Sequence, residues 1–474
     1  MDMDNLPPPL ILEILSRLAD SIDLARCRVA SKTLNTLSRD VRSINLNCSF
    51  DRYTKSRSPD IRDSITPFKR IFNKLISELS IVEAISIGVE KPFETLDKTP
   101  LGYVNDLYLT DVNFVAHWLP KVNEKLRALS ISDFWVQSRW RPSNILALIS
   151  SHCHHLLELE IKNSWLSVDG LLLMPKLTTL TLEFITLDDE NLEKVNQCFP
   201  YLQVLNLIGV EGLKEPKIHL EHLKHCHWTV SNGPRSVTIV APKLVQLNLL
   251  CVKPNGPRSV TIVAPKLVQL NLRCVKPKML VIDTPFLSYL HLTLQGARSF
   301  KVQEFHNLDT LHLESPDLGN LLCSFQFGRT ANNLVLGAKN RTELLGQITF
   351  CFEMLFVEFP NVKAITVAPQ VWAAFQWNFS VGDLELEVRT YPKGLKEITA
   401  YLMMLNVDVT LKFISHIVNI CTSLCDMALF IPRGLRSNDA SDFITKCTAQ
   451  CSKVRLRWGT WKEGTKDAWI SDGV

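Results

Sequence analysis

Residues Asn232–Pro254 read NGPRSVTIVAPKLVQLNLLCVKP, and Asn255–Pro277 repeat them with a single change, Leu250 against Arg273. A compact domain offers each core residue one place, so a second copy of a buried segment would disrupt its packing. A solenoid accepts an extra copy, because each repeat touches only its neighbours and one more coil merely lengthens the stack. The duplication therefore points to modular stacking.

A three-hydrophobe signature, L-x-x-L-x-L or a variant, supports the same conclusion. It recurs at Val82/Ile85/Ile87, Val104/Leu107/Leu109, Leu126/Leu129/Ile131, Leu156/Leu159/Ile161, Leu177/Leu180/Leu182 and Leu202/Leu205/Leu207. It continues at Leu223/Cys226/Trp228, Leu244/Leu247/Leu249, Leu267/Leu270/Leu272, Leu287/Leu290/Leu292 and Leu308/Leu311/Leu313, with successive first positions 20 to 30 residues apart. Most intervals match the period of leucine-rich repeats, in which alternating side chains point inward from short parallel strands. Between strands, Leu187–Phe199 has a helical stripe of Leu192, Val195 and Phe199, stopped by Pro200. The SVTIVAP segments of the two copies read instead as second short strands, so the convex side changes there from helix to extended chain. Beyond Leu313 the signature is weaker, at Val362/Ile365/Val367, Val381/Leu384/Leu386 and Leu424/Met427/Leu429. Val454, Leu456 and Trp458 suggest a last strand that Trp461 and Trp469 could cap, and the polar segment closing the chain after them is expected to be loose.

Composition narrows the function classes. With 46% hydrophobic and 21% charged residues the chain is globular, and a net charge of +4 over 474 residues gives no case for nucleic acid or an anionic membrane. The start, MDMDNLPPPL, is acidic where a secretory signal needs basic residues before an apolar run, and no uninterrupted apolar stretch suits a membrane span. The expected location is intracellular, nucleus or cytoplasm. Thirteen cysteines form no disulfide framework and read as reduced thiols. Neither Cys421/Cys425 nor Cys447/Cys451 has histidine partners beside it, and strand alternation separates His225 and His227 from Cys226 and Trp228, so His219, His222, His225 and His227 do not close a metal site. With no phosphate loop and no G-x-S-x-G, the chain calls for no cofactor, no metal and no catalytic set.

The first 46 residues are different. Prolines 7 to 9 suit a helix's first turn, and Leu10, Ile11, Ile14, Leu15 and Leu18 follow at helical spacing. Ser21 or Asp23 can cap a second helix with Leu24, Cys27 and Val29, and Ser31 or Thr33 a third with Leu34 and Leu37. Three short helices bury little alone and want a partner. The LPxxLxxEILSRL opening and the DLARCRVASKTLNTLSRD continuation resemble an F-box, with Leu6, Pro7, Ile14, Leu15, Leu18, Arg28, Ser31 and Lys32 agreeing in order. Leu34 stands where many F-boxes carry Trp. Together with the coil pattern, the segment resembles plant F-box proteins with irregular leucine-rich repeats.

The resemblance implies an α/β fold in which a short all-helical F-box precedes a leucine-rich-repeat solenoid, with parallel strands on the concave side and helices or extended segments on the convex side. The domains read as an F-box over 1–46, a polar linker over 47–65, a helix over 66–81 capping the first coil, a solenoid over 82–458 and a tail over 459–474. The resemblance further implies that Leu6, Pro7, Leu10, Ile11, Ile14, Leu15, Leu18, Leu24, Val29 and Leu34 dock a Skp-type adaptor and, through it, a cullin. The solenoid would then hold an unidentified protein substrate for ubiquitination. On the concave face, alternation gathers His227, Gln246, Asn248, Leu250, Gln269, Asn271, Arg273, Tyr289, His291, His312 and Glu314, with Tyr289 and Arg273 the expected anchors. A leucine-rich scaffold outside any ligase and a small-molecule co-receptor are alternatives that share this fold.

Overall fold

The computed structural model describes residues 6–18, 20–55, 67–90, 106–134, 141–230, 233–251, 256–274, 277–294, 299–302, 305–316, 318–324, 329–338, 351–381, 394–404 and 406–471. The chain divides into two compact units, Met1–Leu244 and Val245–Val474.

The first unit opens with helices α1 (Pro8–Ser16), α2 (Ser21–Ala30) and α3 (Lys32–Leu37). Proline begins α1 at positions whose N–H groups have no helical partner in any case. The α2 cap is Asp20, whose carboxylate accepts from the Ile22 amide at 2.8 Å, and the α3 cap is Ser31, whose hydroxyl accepts from Thr33 and Leu34. Ser21 is left to accept from the Asn45 amide, tying α2 to the first strand. Ile11, Leu15, Leu24, Leu34 and Val41 make a common core, with Leu6, Leu12, Leu18, Cys27 and Leu37 packed against it.

Strand β1 (Ser43–Ser49) leads into helix α4 (Phe50–Lys55), followed by α5 (Phe68–Ser77), β2 (Ala84–Glu90), α6 (Val112–Val122) and β3 (Ala128–Ser132). Next come the short β4 (Pro142–Ser143), α7 (Ile145–His152), β5 (Glu158–Lys162), the short β6 (Trp165–Leu166), β7 (Thr179–Glu183) and α8 (Asp189–Cys198). The unit ends with β8 (Val204–Val210), β9 (Lys217–His219), β10 (His225–Val230) and β11 (Ser236–Val240). Strands β1, β2, β3, β5, β7, β8 and β10 form a parallel sheet in that order. Its register stacks the inward pairs Ile44/Leu46, Ile85/Ile87, Leu129/Ile131, Leu159/Ile161, Leu180/Leu182, Leu205/Leu207 and Cys226/Trp228, all buried. Behind β9 and β11, which pair in parallel, extended chain replaces helix as expected.

Three sequence expectations need correction here. The stretch 47–55, read as part of a linker, completes β1 and forms α4; 56–65 lies outside the described residues. Helix α5 does not cap an open coil but backs the sheet between β1 and β2 beside α6, Phe72 meeting Trp118 edge-on at 5.2 Å and Phe114 at 5.8 Å. The Val104/Leu107/Leu109 triplet does not supply a strand: β2 pairs directly with β3, while 106–110 form turns, 104 lying outside the described residues. Leu107 and Leu109 are buried, so their hydrophobicity is used, but the backbone around them is spent on side-chain acceptors. The Asp106 carboxylate accepts from the Phe68 and Lys69 amides and the Tyr53 hydroxyl, and the fully buried Asp133 accepts from the Leu109, Thr110 and Phe134 amides and the Thr110 hydroxyl. Burial pushes the Asp133 carboxyl up to about 7, outweighing the hydrogen bonds that favour its charged form.

Arg28 fastens the F-box helices to this sheet. Its side chain is 10% exposed, donates to the Ser38 hydroxyl at 2.8 Å and pairs with Glu78 at the end of α5. Glu78→Ala is expected to destabilise this junction by about 1–3 kcal/mol, discounted for the partial exposure of Glu78, because a nearly buried guanidinium loses its carboxylate. Hydrogen exchange across residues 8–37 should then quicken relative to the sheet; equal protection in variant and parent would rule this out.

The second unit contains β12 (Gln246–Cys251), β13 (Ser259–Val263), β14 (Gln269–Cys274), β15 (Met279–Asp283), β16 (Tyr289–Leu294), β17 (Ser299–Val302) and β18 (Thr310–Glu314). It continues with α9 (Leu318–Ser324), β19 (Asn333–Gly337), α10 (Leu355–Glu358), β20 (Ala364–Val367), α11 (Pro369–Val381) and β21 (Glu397–Tyr401). Last come α12 (Val407–Ile420), β22 (Asp426–Pro432), α13 (Ser437–Gln450), β23 (Arg455–Trp461) and β24 (Ala468–Ser471). Strands β12, β14, β16, β18, β19, β20, β21, β22 and β23 are parallel neighbours, and β13, β15 and β17 form the backing sheet. Helices return in the connections between strands from α9 onward. Two strands that the repeat signature does not mark, β19 and β21, lie in this ladder. Val381 ends a helix rather than starting a strand, and 384–386 lie outside the described residues. Beyond the last parallel strand, β24 pairs antiparallel to β23 with Trp469 opposite Gly459, while 472–474 of the closing segment lie outside the described residues.

Candidate functional site

Helical geometry splits the F-box apolar residues into two sets. Ile11 and Leu15, four apart, face inward with Leu24 and Leu34, each 5% exposed or less. The expectation that these four touch an adaptor is corrected: they hold the three helices together and present no surface. Leu6 and Leu18 are partly buried against the same core. Leu10, Ile14 and Val29 point outward, 54%, 41% and 90% exposed, with Pro7 exposed beside the start of α1. Leu10 and Ile14, one turn apart, form an exposed apolar face of α1, and Val29 adds exposed apolar surface on α2.

The second candidate surface is the open side of the strands, taken in each unit by itself. His227 lies on it in the first unit, in register with Asn206 and 3.3 Å from the Thr229 hydroxyl. The other ten residues fall in the second unit, and register sorts them into three rows. Gln246, Gln269 and Tyr289 align with Thr310; Asn248, Asn271, His291 and His312 align; Leu250 and Arg273 align with Thr293 and Glu314. The one position at which the tandem copies differ thus sits on the open face, between side chains that are partly or fully exposed.

At the β18 end of these rows the side chains close on one another. The His291 and His312 rings stack with centroids 3.8 Å apart and planes 3° from parallel. Glu314 Oε1 lies 3.2 Å from His312 Nε2 and 3.6 Å from His291 Nε2, and the Thr293 hydroxyl donates to Glu314 Oε2 at 3.1 Å. Hydrogen bonds from the two imidazoles hold the Glu314 carboxyl well below the usual carboxylate range, against the opposing effect of burial. Gly337, in register with Glu314, leaves the lane this side chain occupies: a Cβ there would come within 2.8 Å of Glu314 Cγ. His291 is only 5% exposed, so the sequence expectation that it meets a substrate is corrected: it underlies His312.

A further group lies on the open face of the second unit, spread over β21 to β24, of which only β22 and β23 carry the apolar pattern. Tyr401 stacks on Phe430 at 4.9 Å, Phe430 packs on Trp469 at 4.8 Å, and the Arg457 guanidinium lies 5.2 Å over the Trp469 ring while donating to Asp426 at 2.8 Å. Gly459 permits this, since a Cβ there would meet Phe430 at 2.5 Å. Nearby, Pro369, Met403, Arg433 and Trp461 line a cleft of about 600 Å³. The group is hidden in the sequence because β21 has Ala400 where the repeat carries leucine, and β24 lacks the three-hydrophobe spacing altogether.

Comparison with known proteins assigns these parts. Residues 3–44 match the F-box-like domain model. An F-box/LRR-repeat protein of Arabidopsis thaliana is 46% identical over 477 residues, spanning 99% of this chain and 100% of that one. The chain belongs to the F-box/LRR-repeat family. A second Arabidopsis thaliana relative, an F-box protein, is 26% identical over 258 residues, 52% of this chain and 54% of its own. The F-box/LRR-repeat assignment fits both units: F-box helices followed by parallel strands whose inward leucines stack coil on coil. F-box domains generally bind Skp-type adaptors, and F-box/LRR-repeat proteins are typically non-catalytic adaptors. Among the described residues no helix is long and apolar enough to cross a membrane.

Proposed function

We propose that this chain is the substrate-recognition subunit of a Skp–cullin–F-box ubiquitin ligase, in the nucleus or cytoplasm. The observation that carries the proposal is the exposed Leu10–Ile14 face of α1, with Val29 exposed on α2, on a segment matching the F-box-like model. A Skp-type adaptor covering it would bring in the cullin, while the open faces of the strands hold a target protein. The chain itself supplies no chemistry. Holding a target lysine near a charged ubiquitin carrier raises the effective concentration of the two reactants.

The rows around Arg273 and Tyr289 are the surface assigned to the target. Tyr289 offers aromatic area with a polar tip and Arg273 an exposed planar cation, the residue types that dominate interface energetics. Proximity labelling with the full-length chain carrying Leu10→Ala and Ile14→Ala, which should trap targets without degrading them, is the direct test. Targets enriched on that chain over the parent should fall about tenfold or more when Arg273→Glu and Tyr289→Ala are added. The reading fails if the parent captures no Skp-type adaptor and its neighbours are the same with and without the F-box changes.

A further inference from the structure

We propose that His291, His312 and Glu314 form a three-ligand site for a divalent cation of the zinc type on the open face of the second unit. Among the described residues this is the one group of three or more His, Cys, Asp or Glu side chains whose ligand atoms all lie within 4.8 Å of one another. Spacing along the chain draws attention to the histidines at 219–227 and the paired cysteines instead. These three residues are inconspicuous in the sequence because His291 lies one coil away from His312 and Glu314 and meets them only when β16 and β18 stand in register.

The distances suit the ion. Zinc held at about 2.0–2.1 Å in a tetrahedral shell places its donor atoms about 3.3 Å apart. Glu314 Oε1 lies 3.2 Å and 3.6 Å from the two Nε2 atoms, so the two edges of such a shell that meet at the carboxylate are already close to length. The rings are parallel, so their lone pairs run side by side, and each imidazole must turn out of the stack for the two to converge on one ion. Support around the ligands is in place. The Thr293 hydroxyl holds Oε2, orienting the carboxylate, and Gly337 gives the Glu314 side chain its lane. The Asn271 side-chain oxygen, on the neighbouring strand in register with His291, is buried with no hydrogen-bond partner. A metal-bound water would give that acceptor a donor. Two imidazoles and one carboxylate leave the fourth position open, as in zinc sites that bind water or an incoming ligand. On this face the incoming ligand would be a histidine or acidic side chain of a docked protein. The site stands whether or not the chain joins a ligase.

Zinc alone is the probe, titrated into the full-length chain in competition with a chromophoric chelator. The parent should take up one equivalent with micromolar or tighter affinity that is lost, or at least tenfold weaker, in both His312→Gln and Glu314→Gln. His227→Gln, on the open face of the other unit, should retain it. Zinc should also raise the melting temperature of the parent and not of these two variants. If Glu314→Gln itself lowers the melting temperature without zinc, the partly exposed His312→Gln decides. Equal uptake by the parent and the variants would assign the zinc to cysteine thiols elsewhere and overturn the site. Binding no tighter than about 100 µM would reduce the cluster to a hydrogen-bonded His–Glu group and overturn it equally.

Discussion

Leu10→Ala together with Ile14→Ala should abolish co-purification with a Skp-type adaptor while leaving the melting temperature of the chain unchanged within about 2 °C. Both side chains are about half exposed and lie one turn apart on α1, so truncation removes little from the chain's own core. Against a partner they would be covered. Removing two apolar anchors at the centre of a small interface costs about 2–4 kcal/mol, a loss of roughly 30- to 1,000-fold in affinity. Leu15→Ala is the contrasting case. At 1% exposure it is a core residue, and its truncation should destabilise the helices by about 2–5 kcal/mol, so that binding fails through unfolding instead. A triple change of Leu6, Pro7 and Leu15, suggested by the motif alone, would mix the two effects. Size-exclusion chromatography of co-expressed chain and adaptor, beside a melting curve of the chain alone, separates them. Undiminished adaptor binding by the Leu10/Ile14 variant would remove α1 from the interface.

Why some of this is legible in the sequence and some is not follows from what each side chain contacts. The ladder from Leu129/Ile131 to Leu311/Leu313 is readable because coils in both units bury the same two positions of a strand, and few arrangements besides stacked strands produce a period-2 pattern at a fixed interval. The pattern misleads at Leu107 and Leu109, which are as well buried as any strand leucine but lie in turns organised by Asp106 and Asp133. Hydrophobicity records burial, whereas carboxylates capping distant amides decide the backbone. It falls silent at β19 and β21, where Ala331 and Ala400 replace leucines of the signature and leave too little apolar contrast. On the F-box, the motif identifies the domain but not the face, because buried and exposed apolar residues alternate along one helix and both are leucine or isoleucine. On the open face, alternation assigns the rows correctly, yet it cannot show that His291, His312 and Glu314 converge, since that depends on the register between coils.

Removing Asn255–Pro277 should leave a folded, cooperatively melting protein, whereas the single change Leu270→Asp inside that stretch should cost more than about 4 kcal/mol. The pair of proteins tests modular stacking directly. In the deletion the chain runs from Lys253-Pro254 into Lys278-Met279, which reproduces the natural junction Lys276-Pro277-Lys278-Met279. Leu247 and Leu249 would meet Leu290 and Leu292 as their duplicates Leu270 and Leu272 now do, so the inward ladder closes with no cavity. The loss is one nearest-neighbour interface, and a shift in melting temperature of no more than about 5 °C is expected. Leu270→Asp keeps every coil but puts a carboxylate at a fully buried position between Leu247 and Leu290, where nothing apolar can pair with it. Its melting temperature should fall by about 10 °C or more. Loss of 23 residues would thus be milder than replacement of one, an ordering that a single shared core cannot give. Circular dichroism melts of the two proteins decide it: global unfolding of the deletion with survival of Leu270→Asp would show that the copies are embedded in one indivisible core and not stacked as units.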